Sequence, residues 1–385
     1  MKKGIFAVIL IMVVVFVLIG RNEFKKDTQP AAPEPYSRSS FSAPQSKCET
    51  GATLDYYYYE AAKTEYKNNK FGLYIYAENK DFFKLASQLV NSNGGDWGYV
   101  LIPYNVKDRD ESKWASAFDK LNEYHLIPII QLWDADPSDY EDDTKDAAKF
   151  LNRFLWPIKT RYVSAYNEPN DAKFWKGHAD PKSYAKVLAY TIDAFKEENP
   201  DFFILNGAFN TSAPTTGDYM DAFDYMAQMN EEVPGVFEKL DGWASHPYPQ
   251  PNFAGGVYAT GRWSITAYRN ELLYLKEVLG VAKDLPVFIT ETGWAHAEGE
   301  NWNASYLPVT KVAENYKNAY TNVWLNDARI VAVAPFTIRY DPPFDHFSWV
   351  NKDNVPYLHF QVVKSLQKVA GEPPKLIKAK LQIPC

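Results

Sequence analysis

Three features of the chain predict an α/β fold closed into a (β/α)₈ barrel, the TIM-barrel architecture. From Phe71 onward, strand-like apolar runs alternate with helical stretches eight times, over a length that suits such a barrel. The runs are almost continuously apolar, as parallel strands covered by helices on both faces should be. No glycine-rich phosphate loop follows the first run, which continues Ala77-Glu78-Asn79-Lys80-Asp81. That disfavours the rival fold, an open doubly wound sheet.

In order, the strand-like runs are 71–77, 97–105, 126–134, 161–168, 202–210, 241–249, 285–294 and 330–341. Helical start signals lie between them. Asn79 is placed to cap a helix running through Leu89, and Asp110 one running through Leu121. Pro181 begins a helix that ends at Glu198. Phe118, Leu121 and Tyr124 share one helical face. The tyrosine-rich stretch Tyr56–Tyr66 is expected to pack across the base of the barrel.

The segment ahead of the barrel reads differently. Lys2 and Lys3 precede an unbroken apolar run, Ile5–Ile19, bounded by Gly4 and Gly20. As a helix, Gly4 to Gly20 would span about 25 Å, just short of a hydrocarbon core. No small-x-small cleavage site follows, so residues 1–20 read as a signal anchor, with a cleaved signal peptide as the alternative. Residues 21–50 form a Pro/Ser/Ala-rich linker and residues 51–385 the barrel domain, its core spanning about 71–371. The charges flanking the run do not settle its orientation; the chemistry described below is the reason to expect the domain outside the cytoplasm, tethered to the cell membrane, or secreted if the segment is removed, and a monomer is expected.

Composition excludes several classes. The net charge is −7 and no basic stripe or Lys/Arg run speaks for nucleic acid. The six histidines show no metal-ligand spacing, so no metal and no cofactor is expected. A Gly-x-Ser-x-Gly elbow is missing, which argues against a serine hydrolase. The two cysteines, Cys48 and Cys385, bracket the barrel; either they form a disulfide or they are free thiols. Aromatic residues make up 16%, with 11 Trp and 27 Tyr, which suits a core or a cleft that stacks on sugar rings.

The chemistry sits at two strand tips. The fourth run, Arg161–Asn170, ends in Asn167-Glu168 and is stopped by Pro169, which has no N–H for a continuing ladder. The seventh run, Leu285–Trp294, ends in Glu291, and Gly293 breaks it. In a barrel both carboxyls lie at the C-terminal mouth and face each other across it. Two such carboxyls are what hydrolysis of a glycosidic bond needs, one to protonate the leaving oxygen and one to attack the sugar. A separation of about 5–5.5 Å would mean retention of configuration. The expectation is that Glu168 holds the proton, its pKa raised by burial and by its neighbour, while Glu291 stays ionised. Trp133 and Trp294, just beyond strand ends, are candidates for sugar stacking.

The pairing of Asn167-Glu168-Pro169 with Thr290-Glu291-Thr292-Gly293-Trp294 resembles clan A of the retaining glycoside hydrolases, the barrel group that includes cellulases, mannanases and β-xylosidases. The resemblance covers about residues 71–371 and does not single out one family or one sugar. It implies that Asn167 bonds the sugar 2-hydroxyl, that His246 lines the same subsite, and that Tyr248 contacts the nucleophile. It implies also that Trp349 is the platform under the cleaved sugar. Clan members carry an arginine at the end of the second strand; here that strand ends Ile102-Pro103-Tyr104-Asn105, and Arg339 is the candidate to replace it. Two alternatives stand beside the hydrolase, the first with the same residues. A transglycosylase differs in how well water reaches the intermediate, and a non-catalytic glycan-binding barrel would keep only the aromatic platform.

Overall fold

Parallel strands arranged in a ring carry Glu168 and Glu291 just beyond the ends of two of them. In chain order the strands are β1 (Thr53–Tyr59), β2 (Gly72–Tyr74), β3 (Gly98–Asn105), β4 (Leu126–Trp133), β5 (Arg161–Asn167), β6 (Phe202–Ala208), β7 (Trp243–Ser245), β8 (Val287–Ile289), β9 (Ile330–Val333) and β10 (Leu376–Gln382). The helices are α1 (Lys80–Val90), α2 (Glu111–Glu123), α3 (Glu141–Asn152), α4 (Pro181–Glu198), α5 (Ala222–Glu232), α6 (Tyr268–Glu277), α7 (Val309–Ala319) and α8 (Leu358–Ser365). One helix follows each strand from β2 to β9. This computed structural model describes residues 53–382, Ala62 and Thr64 excepted. The expected anchor, the linker, Cys48 and Cys385 lie outside the described residues. Among the described residues, no helix is long and apolar enough to cross a membrane.

The strands pair in parallel as a five-stranded sheet, β2-β3-β4-β5-β6, and a three-stranded sheet, β7-β8-β9. Isolated bridges close the ring at the two seams. Phe71 pairs with Val333 between β2 and β9, and Leu205 pairs with Gly242 between β6 and β7. Glycines make both closures possible. A Cβ on Gly72 would lie 2.9 Å from the Val333 carbonyl oxygen, and one on Gly242 would lie 2.9 Å from the Leu205 and Phe203 side chains.

Both strand faces are buried, yet the alternation is legible in the packing. On β3, Tyr99 and Leu101 pack inside the ring with Ile127 and Ile129 of β4 and Tyr162 of β5. Val100, Ile102 and Tyr104 point out, against Trp114, Phe118 and the other buried residues of the helices. The expected caps are formed: Asn79 accepts from the Asp81 amide and Asp110 from the Lys113 amide. Helix α4 runs Pro181–Glu198 as its proline signal indicated.

The tyrosine-rich stretch departs from expectation. Rather than only packing across the base, Thr53–Tyr59 is a strand, paired antiparallel with Leu376–Gln382 in a two-stranded ribbon. Tyr59 donates from its hydroxyl to the Trp156 carbonyl, which ties the ribbon to the segment just before β5. Tyr56, Tyr57 and Tyr58 stay exposed. A run of β-forming tyrosines satisfied by a partner strand from the other end of the chain explains the difference.

Candidate active site

At the C-terminal mouth of the ring the strand tips line a cleft of about 680 Å³. Strand β5 delivers its acid by an unusual route. Tyr162 and Ser164 face inward and Val163 and Ala165 outward, so strict alternation would turn Tyr166 in. Tyr166 instead takes a left-handed backbone, φ +77°, and packs in the outer core, and Asn167 and Glu168 reach the cleft. Glu168 is itself left-handed, φ +37°, while its amide still donates to the Ala208 carbonyl of β6 at 3.0 Å. Such conformations cost on the order of 1–3 kcal/mol in a non-glycine residue and persist where the surroundings hold them.

Glu291 arrives from the tip of β8. A Cβ at Gly293 would lie 2.6 Å from the Tyr316 hydroxyl, so a glycine is needed for the chain to turn away there. His246 and Tyr248 come from the tip of β7. His246 Nδ1 lies 3.0 Å from Glu168 Oε1 and 3.8 Å from Glu291 Oε2. The Tyr248 hydroxyl donates to Glu291 Oε2 at 3.0 Å. One carboxylate oxygen of each glutamate and the His246 nitrogen all lie within 4.8 Å of one another. Among the described residues this is the one cluster of His, Asp and Glu close enough to consider for a cation. Its 3.0 Å contact between His246 and Glu168 is a hydrogen bond.

The electrostatics differ from expectation. Glu291, expected to stay ionised, is pushed up to about 7: burial is the main cause, and the Glu168 charge adds to it. His246 and the hydrogen bond from Tyr248 oppose the rise. Burial alone would lower the pKa of His246, but the two carboxylates outweigh it and raise it.

Of the other expected residues, Asn167 lines the cleft and accepts at Oδ1 from Gln131 Nε2 at 2.9 Å. Trp133 forms part of the wall, its ring edge-on to Phe174. Trp349 and Trp294 are not brought to the site. Trp349 is 0% exposed and packs against Tyr316 and His359; Trp294 is 1% exposed and donates from its indole to the Gly255 carbonyl. Rings enclosed in this way have no free face for a sugar. Arg339 does not replace the missing arginine either. Its guanidinium donates to Asn354 Oδ1 and the Lys352 carbonyl and lies over the Phe82 ring.

Sequence reasoning missed Gln131, Tyr74, Tyr76 and Phe336, all near the two glutamates. Phe336, three residues beyond the end of β9, lines the cleft, as Trp349 was expected to do. The signal for Gln131 was present: a polar residue at the inward parity of the apolar β4, two positions after Ile129.

No family model matches the chain, and no curated protein matches it by sequence. Solved structures do match in fold. An endo-β-1,3-glucanase of glycoside hydrolase family 128 from Pseudomonas viridiflava aligns with TM-score 0.51 and 15% identity, over 78% of this chain and 98% of that one. A monomeric β-xylosidase from Caulobacter crescentus aligns with TM-score 0.54 and 12% identity, over 83% and 71%. A β-glucuronidase from Bacteroides uniformis aligns with TM-score 0.52 and 11% identity, over 82% of this chain and 37% of that longer one. The chain thus has the barrel fold shared by these glycoside hydrolases.

Proposed function

We propose that the protein is a retaining glycoside hydrolase acting on a β-linked glycan. The observation that carries this reading is the spacing of Glu168 and Glu291, with oxygens within 4.8 Å, on the floor of an aromatic cleft. An inverting enzyme needs its carboxyls about 6.5–9.5 Å apart to admit a water between them and the sugar, and a retaining one about 5–5.5 Å. In the first step Glu168 gives its proton to the glycosidic oxygen as Glu291 attacks the anomeric carbon, forming a glycosyl ester and releasing the leaving sugar. In the second, Glu168 takes a proton from water, whose oxygen displaces Glu291 from the anomeric carbon. Tyr248 and His246 stabilise charge on the pair, and Asn167 meets the hydroxyl beside the reacting carbon. Trp133 and Phe336 offer the aromatic surface.

About half of the residues that line this cleft are aromatic, and among the described residues Lys173 and His246 are its only cationic side chains, which suits a largely neutral glycan. The apolar run 5–19 supports the further reading that the enzyme is held at the cell membrane, and glycan hydrolysis supports a barrel outside the cytoplasm.

The test follows new reducing ends from β-glucans, mannan, xylan and galactan, with Glu291→Gln alongside. Release by the parent and a loss of at least about 10³-fold in the variant supports the assignment and names the glycan. Equal release by both would sink the assignment of Glu291. Binding without release would favour a glycan-binding barrel, and products longer than the substrate would favour a transglycosylase.

A further inference from the structure

The ribbon of β1 and β10 has two unlike faces. Residues paired in register share a face, and successive residues alternate. One face therefore carries Leu54 with Leu381, Tyr56 with Ala379 and Tyr58 with Ile377. The other carries Asp55 with Lys380 and Tyr57 with Lys378, and Lys378 forms an ion pair with Asp55 at 2.8 Å. The apolar face is bare: Leu54 is 56% exposed, Tyr56 44%, Tyr58 47% and Leu381 52%. The Tyr56 and Tyr58 rings stack on each other, centroids 5.8 Å apart, and make one continuous aromatic surface. The ribbon is fastened to the base of the ring. The Leu376 amide donates to the Pro157 carbonyl and the Lys159 amide to the Pro374 carbonyl. Residues 157–159 lie just ahead of β5, at the end of that strand opposite Glu168.

The size of this face decides what can cover it. Strands of seven residues at about 3.4 Å each, lying about 5 Å apart, make a face of about 240 Å². A stable pair of protein surfaces needs about 800 Å² on each side, so the face is too small to hold a second copy by itself. A bilayer asks for less when the chain is already held beside it. Residues 20–52, which join the apolar run to the ribbon, would span about 30 Å as a coil and about 100 Å as an extended Pro-rich chain. Within that reach a surface contact becomes an intramolecular one, and a weak affinity suffices. The side chains suit lipid. Tyrosine rings settle between headgroups and acyl chains, and Lys378 and Lys380, against the one acid Asp55, favour anionic headgroups.

We propose that the apolar face of the ribbon docks on a lipid bilayer and turns the catalytic mouth away from it. Leu54, Tyr56, Tyr58, Ile377 and Leu381 enter the interfacial layer. The barrel then stands on its base, and Glu168 and Glu291 open toward the medium, where a polysaccharide can reach them. The docking rests on the reading that the run 5–19 holds the enzyme at a membrane; the apolar face and its place at the base rest on the ribbon alone.

The test reconstitutes the full chain in vesicles of phosphatidylcholine and phosphatidylglycerol that carry a phospholipid with a photoactivatable diazirine near its headgroup. After illumination, lipid adducts are mapped by mass spectrometry in the parent and in the double variant Tyr56→Glu, Tyr58→Glu, whose fold is checked by its melting temperature. The parent should carry adducts on the run 5–19 and on Leu54, Tyr56, Tyr58 and Ile377. In the variant the ribbon adducts should fall about tenfold, because two charges would have to enter the apolar layer, while those on the run stay unchanged. Tyr340 and Phe344, exposed aromatics at the mouth, are the control and should stay unlabelled. Adducts on the run with none on the ribbon would overturn the docking and leave the attachment through the run standing. Adducts on the ribbon alone would do the reverse. Labelling of Tyr340 and Phe344 to the same extent as the ribbon would mean that exposure alone decides the adducts, which also overturns the docking. Crosslinks between ribbons of two chains in place of lipid adducts would assign the face to a second copy.

Discussion

Glu291 carries the most telling charge in the molecule. Its pKa is pushed up to about 7 by burial and by the Glu168 carboxylate, so in the free enzyme its ionised fraction grows as pH rises toward neutrality. Because kcat/KM reports the free enzyme, its acid limb should follow this group. Glu168→Gln removes the neighbouring charge, and the limb should then move to lower pH. The measurement is a kcat/KM profile on an aryl glycoside whose leaving group needs no protonation. On such a substrate kcat/KM should be largely retained, whereas on a natural glycan it should fall about 10²–10⁴-fold. A limb that stays in place would mean that Glu168 does not press on Glu291. At this scale the sequence was legible wherever a residue followed directly from a strand end, as with Asn167, Glu168, His246, Tyr248 and Glu291. It misled at Trp349, because a tryptophan near a strand end reads the same whether its ring faces a cleft or, as here, packs on Tyr316 and His359.

Among the elements, α6 and β7 share a buried carboxyl that plays no part in the proposed chemistry. Glu271 of α6 is 1% exposed and accepts from Trp243 Nε1 of β7 at 2.7 Å. Burial raises its pKa from 4.5 to about 7. Below about pH 4.5 both the folded and unfolded forms are protonated and the group costs nothing. As pH rises from there to about 7 the unfolded chain releases its proton first, so stability falls through this window and stays low above it. Glu271→Gln stays neutral and can still accept from the indole. It should match the parent at pH 4 and exceed it at pH 8 by on the order of 3 kcal/mol, read from chemical denaturation at the two pH values. An equal effect at both would mean that Glu271 is not held protonated. Helix starts such as Asn79, Asp110 and Pro181 were readable because a cap bonds amides two or three residues away. The ribbon of β1 and β10 was not, since Thr53 pairs with Gln382 and no local pattern announces so distant a partner.

For the whole molecule, closure of the ring depends on the two seams between its sheets. Gly72 lets β2 approach β9, where a Cβ would meet the Val333 carbonyl oxygen at 2.9 Å and Ala334 at 3.3 Å. Those contacts are backbone and cannot swing aside. Gly72→Ala should therefore cost about 1–3 kcal/mol in urea unfolding, as overpacking does in a filled core. Gly217→Ala, also at a glycine but with nothing within 4 Å of a Cβ and no left-handed backbone, separates crowding from a general glycine effect. Equal costs at the two positions would remove the seam argument. The sequence by itself determined the order of strands and helices, the barrel class and the two glutamates at strand tips, because alternation, capping and chain-breaking residues act over a few neighbours. Only the tertiary structure decided which aromatic rings face the cleft, that Arg339 stays away from Glu291, and that Glu291 is driven toward protonation. Each of those depends on distances between strands that lie far apart in the chain, and on the burial that closing the ring creates.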